Sequence, residues 1–264
     1  MELPRTNMVH RAAETWRPPL LSPGDSAFAK FSAAVRRFLD FQAGSIWRDM
    51  AAILPRATGR LLDVGCGAQP YRLLLPKSVE YLGIDTADAQ SHFGYAQPDT
   101  RYFAADGPWP VASGEIDVCL ATETMEHVPD PAEFLREAAR CVKPKGMLIL
   151  TVPFAARWHF IPHDYWRYTP ASLARLLGNA GFENIRVYAR GNAVTVACYK
   201  SMAIILSLIL SPAPIAVRFF RLVLGLVLAP GAVPLCVLAN LSLFGRGGDD
   251  CLGYTVLADR GLAL

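Results

Sequence analysis

The chain has 264 residues, enough for one large α/β domain with a sizeable core or two small ones. A net charge of +3 and the lack of a basic tract argue against a nucleic-acid partner. Six cysteines (Cys66, Cys119, Cys141, Cys198, Cys236 and Cys251) are scattered without a C-x-x-C pair or zinc spacing, which points to free thiols in a reducing compartment.

Residues 1–25 have no apolar signal-peptide core and read as a Pro- and Arg-rich lead-in, so the domain that follows is expected in the cytoplasm. Ser26 is placed to cap a helix in which Phe28, Phe31, Val35, Phe38 and Leu39 recur at helical spacing. A second helix around Ile46 to Leu54 leads to a short apolar run ended by glycine, RLLDVG, the pattern of a buried parallel strand. Tyr81 to Asp85 reads as the second strand, Arg101 to Ala105 as the third and Ile116 to Ala121 as the fourth. Asp130 is placed to cap a helix with Pro131 first and Glu133 three after the cap, burying Phe134, Leu135, Ala138, Cys141 and Val142. Gly146 would close that unit before a fifth strand, MLILTVP. Thr169-Pro170 opens another helix, Gly181 ends it, and FENIRVYAR alternates as a sixth strand. Such alternation predicts a parallel sheet with helices on both faces.

The stretch 61-LLDVGCGAQPY-71 runs a strand into a glycine turn. Gly65 and Gly67 remove side chains where backbone must approach a ligand, beyond the carboxyl end of a strand. Asp85, ending the second strand, suits the two hydroxyls of a ribose, and Asp106 after the third suits an adenine amino group. Gln69-Pro70-Tyr71 supplies no third glycine, so the dinucleotide fingerprint fails, and no G-K-[ST] follows for a P-loop.

Together LLDVGCG, YLGID, AADG, IDVCLATETMEHVPDP and LREAARCVKPKGMLIL resemble the Rossmann-like S-adenosylmethionine-dependent methyltransferases over roughly residues 55–190. The resemblance implies a seven-stranded, mostly parallel α/β sheet whose last two strands form an antiparallel hairpin. It implies that Asp63, Gly65 and Gly67 surround the methionine part of S-adenosylmethionine, that Asp85 takes the ribose and that Asp106 takes the adenine end. CLGYTVLADR has the composition of the seventh strand, from about Gly253 to Asp259. The domain then comprises residues 26–192 and 253–264, and residues 193–252 form a hydrophobic helical insertion between strands six and seven.

That insertion holds two uncharged runs, Ser201 to Val217 and Leu222 to Phe244, separated by Arg218 and Arg221 and broken by Pro212, Pro214, Pro230 and Pro234. Both ends must return to one sheet, so they lie on one side of any membrane. Arg190, Lys200, Arg218, Arg221 and Arg246 flank the runs, as expected beside anionic lipid headgroups. Arg218 and Arg221, at the tip of a crossing hairpin, would oppose the positive-inside tendency, which favours helices embedded in the cytoplasmic leaflet through residues 201–244. The alternative is a buried helical pair or a homodimer interface.

Two clusters carry candidate chemistry. Glu123, Glu126 and His127 in ETMEHV resemble the metal-binding segment of ubiquinone-pathway and small-RNA O-methyltransferases, which implies a divalent metal; the alternative is that His127 simply lines the site. The segment 159-HFIPHDYWRYT-169 reads as a substrate loop, with His163 a candidate base beside His127 and Arg167 a candidate for an anionic group. Its alternative is a packed aromatic loop with an Asp164–Arg167 salt bridge. ATET stands where an amino-directed enzyme would carry N-P-P-Y. The expectation is O-methylation of a lipid-like or lipid-linked acceptor, such as an isoprenoid quinone, a polyprenyl-linked sugar or a glycolipid, at the cytoplasmic membrane face. The rivals are a soluble small-molecule methyltransferase and a non-catalytic membrane-anchored scaffold that binds the cofactor.

Overall fold

A computed structural model describes Met8 and residues 26–88, 97–105, 107–210 and 214–262. Asp106, expected near adenine, and all of the lead-in except Met8 lie outside the described residues.

Seven strands form one sheet in the order β3-β2-β1-β4-β5-β7-β6. They are β1 (Arg60–Val64), β2 (Glu80–Thr86), β3 (Thr100–Phe103), β4 (Ile116–Thr122), β5 (Val142–Pro153), β6 (Phe182–Arg190) and β7 (Gly253–Arg260). β7 runs antiparallel to both of its neighbours, and the other pairings are parallel. The apolar runs of β1 and β4 are buried on both faces because helices cover both. Successive residues alternate between two cores. Leu62, Cys119 and Ala121 pack with Leu135 and Ala138 of α3 (Pro131–Cys141) and Leu173 and Leu177 of α4 (Pro170–Asn179). Leu61 and Leu120 pack on the other face with Ile46 and Met50 of α2 (Phe41–Ile53).

Several helix ends follow their sequence signals. Asp130 Oδ1 accepts from the backbone N–H groups of Ala132 and Glu133, at 2.9 and 3.1 Å. Thr169 and Ser172 form a reciprocal capping box at α4. Gly146 does not end α3. β5 already begins at Val142, Lys145 takes φ 66°, and a Cβ on Gly146 would stand 2.9 Å from the Asp117 carbonyl oxygen, so this glycine lets β5 draw close to β4.

Three apolar helices separate β6 from β7: α5 (Ala193–Leu210), α6 (Ile215–Leu228) and α7 (Ala232–Ser242). Residues 193–210 and 217–242 are long and apolar enough to cross a membrane. α5 and α7 seat Val196, Met202, Cys236 and Ala239 against Phe41 and Leu252. α6 buries none of its described side chains and exposes Ile215, Phe219, Phe220, Leu226 and Val227. α1 (Ala27–Leu39) starts at its Ser26 cap, yet its apolar stripe of Phe28, Phe31, Val35, Phe38 and Leu39 is exposed. It leans on α7, where Asn240 Nδ2 donates to the Phe38 carbonyl at 2.9 Å.

Candidate active site

β1 and β4 are neighbours in the sheet but lead to opposite flanks, and a crevice opens beyond their carboxyl ends at such a reversal. Gly65 and Gly67 turn the chain there with φ 69° and 48°, a region that disfavours side chains. A Cβ on Gly65 would lie 2.5 Å from the side chain of Thr124, whose hydroxyl donates to the Val64 carbonyl at 3.2 Å. The glycine therefore lets the loops after β1 and β4 touch. Asp85 is fixed at the rim: its Oδ2 accepts from the Gly67 N–H at 2.9 Å and its Oδ1 from the Thr86 N–H at 2.8 Å. Burial raises its pKa, and the two backbone bonds oppose that rise.

Asp63 sits behind this wall rather than in it. It is buried, accepts from the Tyr81 hydroxyl at 2.7 Å, and keeps Oδ1 without a hydrogen-bond partner among the described residues. Burial pushes its carboxyl up to about 7; the Tyr81 bond opposes the rise and the Asp85 charge adds to it. Cys66 beside it is pushed up to about 12, chiefly by burial, and is an unreactive thiol.

The loop after β4 departs from its expected grouping. Glu123 takes φ 50° and accepts on Oε1 from Arg190 Nη2 at 2.7 Å. Arg190, expected beside lipid headgroups, is in fact buried, and it also donates to Ser45 Oγ and the Val152 carbonyl, each at 3.1 Å. Glu126 is wholly buried with neither carboxylate oxygen hydrogen-bonded to another of the described residues, and burial, then the Glu123 charge, holds its pKa well above the ordinary range. His127 Nδ1 lies 2.8 Å from the His163 carbonyl; an oxygen acceptor requires that nitrogen to carry the proton, which leaves Nε2 a lone pair, 3.5 Å from Glu126 Oε1. Burial, then His159, lowers the His127 pKa to about 4. His159 completes the group. Its Nδ1 is 3.1 Å from both the Arg157 carbonyl and Asp164 Oδ2, so its Nε2 is also free of a proton when the ring is neutral. Burial lowers the His159 pKa, but the Asp164 bond and charge outweigh this and raise it. Donor atoms of Glu126, His127 and His159 lie within 4.8 Å of one another.

The segment 159–169 is divided between both of its expected roles. Arg167 forms a two-bonded ion pair with Asp164, at 2.5 and 2.7 Å, and donates to the Arg157 and Trp166 carbonyls, so it is not the anion site expected from the sequence. Trp166 Nε1 donates to the Val128 carbonyl and the Tyr168 hydroxyl to the Met125 carbonyl, at 2.9 and 3.0 Å. Phe160, His163 and Tyr165 reach the cleft. The His163 Nδ1 is 3.2 Å from the Tyr165 hydroxyl.

The cleft measures about 1990 Å³ and is bounded by the Gly65–Gly67 turn, Asp85, Glu123, His127, His163 and the inner face of α1. A site for one small molecule encloses roughly 300–1,000 Å³, so there is space for a cofactor and an acceptor together.

Residues 30–187, more than half of the chain, match the methyltransferase-domain family. The chain belongs to that family. An uncharacterized methyltransferase of Mycobacterium sp. (strain JLS) is 32% identical over 47% of this methyltransferase and 50% of its own length. A ubiquinone biosynthesis O-methyltransferase of Ruegeria pomeroyi is 32% identical over 54% of this chain and 67% of its own. This chain thus spans about half the length of the curated relatives it matches first. The solved structure of an S-adenosylmethionine-dependent methyltransferase from Archaeoglobus fulgidus shares the fold, with a TM-score of 0.51 at 16% identity, over 89% of this chain and 100% of that one. The cofactor of such methyltransferases is S-adenosylmethionine, and the residues fit it: a left-handed glycine turn beyond the strand ends, and a carboxylate braced at the rim.

Arg190 and His159 are the site residues that the sequence reading missed. Arg190 stood out only as a flanking cation, and His159 lies in the aromatic segment, 32 positions beyond His127.

Proposed function

We propose that this methyltransferase transfers a methyl group to an oxygen of a lipid-like or lipid-linked acceptor at the cytoplasmic face of a membrane. One observation carries the reading: α1 walls the cleft with one face while its other, apolar face stands exposed beside α7 of the apolar insertion. Such contiguous exposed apolar surface is rare on a soluble monomer. The likeness to ubiquinone biosynthesis O-methyltransferases supports an acceptor of isoprenoid-quinone type, with polyprenyl-linked sugars and glycolipids in the same physical class.

S-adenosylmethionine supplies a methyl on a sulfonium, so the acceptor oxygen forms its bond to carbon as the sulfur–carbon bond breaks. The protein must align the hydroxyl and take its proton. Asp85 and the Gly65–Gly67 backbone hold the cofactor, with Asp63 bracing the turn from behind. His163, which lines the cleft and contacts Tyr165, is the base in this reading. His127, lowered to about 4, is a poor base but a good neutral ligand.

Glu126, His127 and His159 fit a divalent metal, because two imidazoles and a buried carboxylate without a hydrogen-bond partner among the described residues bring a donor atom each within 4.8 Å of one another. Both imidazoles have their Nδ1 held by oxygen, as metal-ligating histidines do. A metal there would lower the pKa of an acceptor hydroxyl. His159 takes the place expected of Glu123, whose Oε1 is bonded to Arg190.

The test is to separate membranes from cytosol, wash them with high salt and alkaline carbonate, and supply lipid extracts with radiolabelled S-adenosylmethionine. Retention through both washes with label entering the lipid fraction supports the reading. Release into the soluble fraction, or label only in water-soluble products, overturns it.

A further inference from the structure

The cleft is electrically two-sided. Its acidic lining residues, Asp85, Asp88, Glu123, Asp130, Glu133 and Glu137, all come from the strand ends and the loop and helix that follow β4. Among the described residues its lysine and arginine side chains, Lys30, Arg36 and Arg37, all come from the inner face of α1. The acidic side suits a cofactor that carries a sulfonium and an ammonium. The cationic side faces the space left for the acceptor.

Among the described residues Lys30 and Arg37 make no ion pair, while Arg36 lies 3.7 Å from Asp40. The Arg37 guanidinium is held over the Trp47 ring at 3.9 Å, a contact that fixes its plane and leaves its N–H edge available. The opposite face of α1 presents Phe31, Val35 and Phe38 outward. Phe31, Val35 and Phe38 recur at helical spacing and Lys30 and Arg37 stand about two turns apart, so one helix offers charge inward and hydrocarbon outward.

We propose that the acceptor is a lipid bearing a phosphate, whose anionic headgroup is held by Lys30 and Arg37 on the inner face of α1 while its chain leaves along the apolar α1–α7 surface. This rests on the lipid reading above and narrows it to phosphate-bearing lipids, among which a polyprenyl-linked sugar fits and an isoprenoid quinone does not. Charge-assisted bonds from guanidinium and ammonium to phosphate give the recognition. Repulsion from the acidic side keeps the phosphate away from the cofactor and turns the rest of the headgroup towards it.

The test is calorimetric titration of the full chain, in non-ionic detergent and loaded with S-adenosylhomocysteine, with decyl phosphate, decanol and inorganic phosphate. Decyl phosphate is expected to bind at least about tenfold more tightly than decanol or inorganic phosphate. A Lys30→Gln/Arg37→Gln variant should lose that preference and keep its affinity for S-adenosylhomocysteine. Should it lose both, a Lys30→Arg/Arg37→Lys variant decides, because it must restore the preference for decyl phosphate. Equal binding of decyl phosphate and decanol overturns the anionic headgroup while leaving the lipid reading intact. Inorganic phosphate binding as tightly as decyl phosphate overturns it in favour of a soluble phosphorylated acceptor. If no decyl compound binds and the chain does not pellet with membranes, the lipid reading itself fails.

Discussion

Arg190 at the end of β6 donates to Glu123 after β4 across 2.7 Å, tying the residue just before the apolar insertion to the floor of the cleft. Arg190 is buried, and the Glu123 side chain is 25% exposed. Removing one partner of a fully buried pair costs about 3–5 kcal/mol, and water at Glu123 reduces this to roughly 2 kcal/mol. Arg190→Met is expected to lower the unfolding free energy by about that amount in urea titration. A loss under about 0.5 kcal/mol, the size of an ordinary surface change, would show that the brace is idle.

Gly65 has no room for a side chain. Its φ of 69° costs an alanine about 1–2 kcal/mol, and the new Cβ meets Thr124 at 2.5 Å. Gly65→Ala should weaken S-adenosylhomocysteine binding by at least about tenfold, measured by calorimetry, because the two loops must part. Gly114→Ala is the control: φ is 64° with nothing within 4 Å of the added Cβ, so it carries only the backbone cost and should bind normally. Equal affinities in the two variants would contradict the steric argument.

The sheet was legible because β1, β2 and β4 are short, largely apolar runs closed by glycine or an acid, and the helix caps at Ser26, Asp130 and Thr169 obey local chemistry. The glycine turn and Asp85 were legible for the same reason: their roles follow from backbone conformation and strand ends. What was not legible is pairing between distant segments. Nothing local says that Glu123 faces Arg190 across 67 positions, or that Arg167 is committed to Asp164 rather than to an anion. The helical spacing in α1 was read correctly, but spacing does not say whether an apolar stripe faces a core or the outside.

Asp63 gives the domain a pH signature. Its carboxyl is raised from 3.8 to about 7 in the folded state, so between those values the folded chain holds a proton that the unfolded chain has released. This contribution is full below pH 4, falls as pH rises and is lost near 7, at up to about 1.4 kcal/mol per pH unit. Asp63→Asn keeps an acceptor for Tyr81 and cannot ionise. The stability of the wild type relative to this variant should therefore decline from pH 4 to 7. Parallel curves for the two proteins would remove the assignment.

The Glu126–His127–His159 group predicts stoichiometric binding of Mn²⁺ or Zn²⁺ by equilibrium dialysis. A lone His159→Ala or Glu126→Gln substitution should weaken it by more than about 100-fold, since loss of a supporting group alone costs about 10–100-fold. Glu123→Gln should leave metal affinity unchanged, since that side chain is bonded to Arg190. If Glu123→Gln abolishes binding and His159→Ala does not, the ligand set expected from the sequence is restored.

The exposed face of α6 is the last point of leverage. Phe219 and Phe220 are 71% and 69% exposed, so neither supports the core of the domain. Withdrawing two such side chains from lipid forfeits about 3–6 kcal/mol at the usual value for burying a phenylalanine, and a carboxylate in each place adds a further cost. A Phe219→Glu/Phe220→Glu variant should consequently leave floating liposomes for the soluble fraction, with a partition shift of at least about a hundredfold. Because the cleft is built from other elements, its affinity for S-adenosylhomocysteine should not change. Continued flotation would show that α6 does not meet the bilayer. Loss of S-adenosylhomocysteine binding together with flotation would mean that α6 packs against protein instead, as a homodimer interface would require.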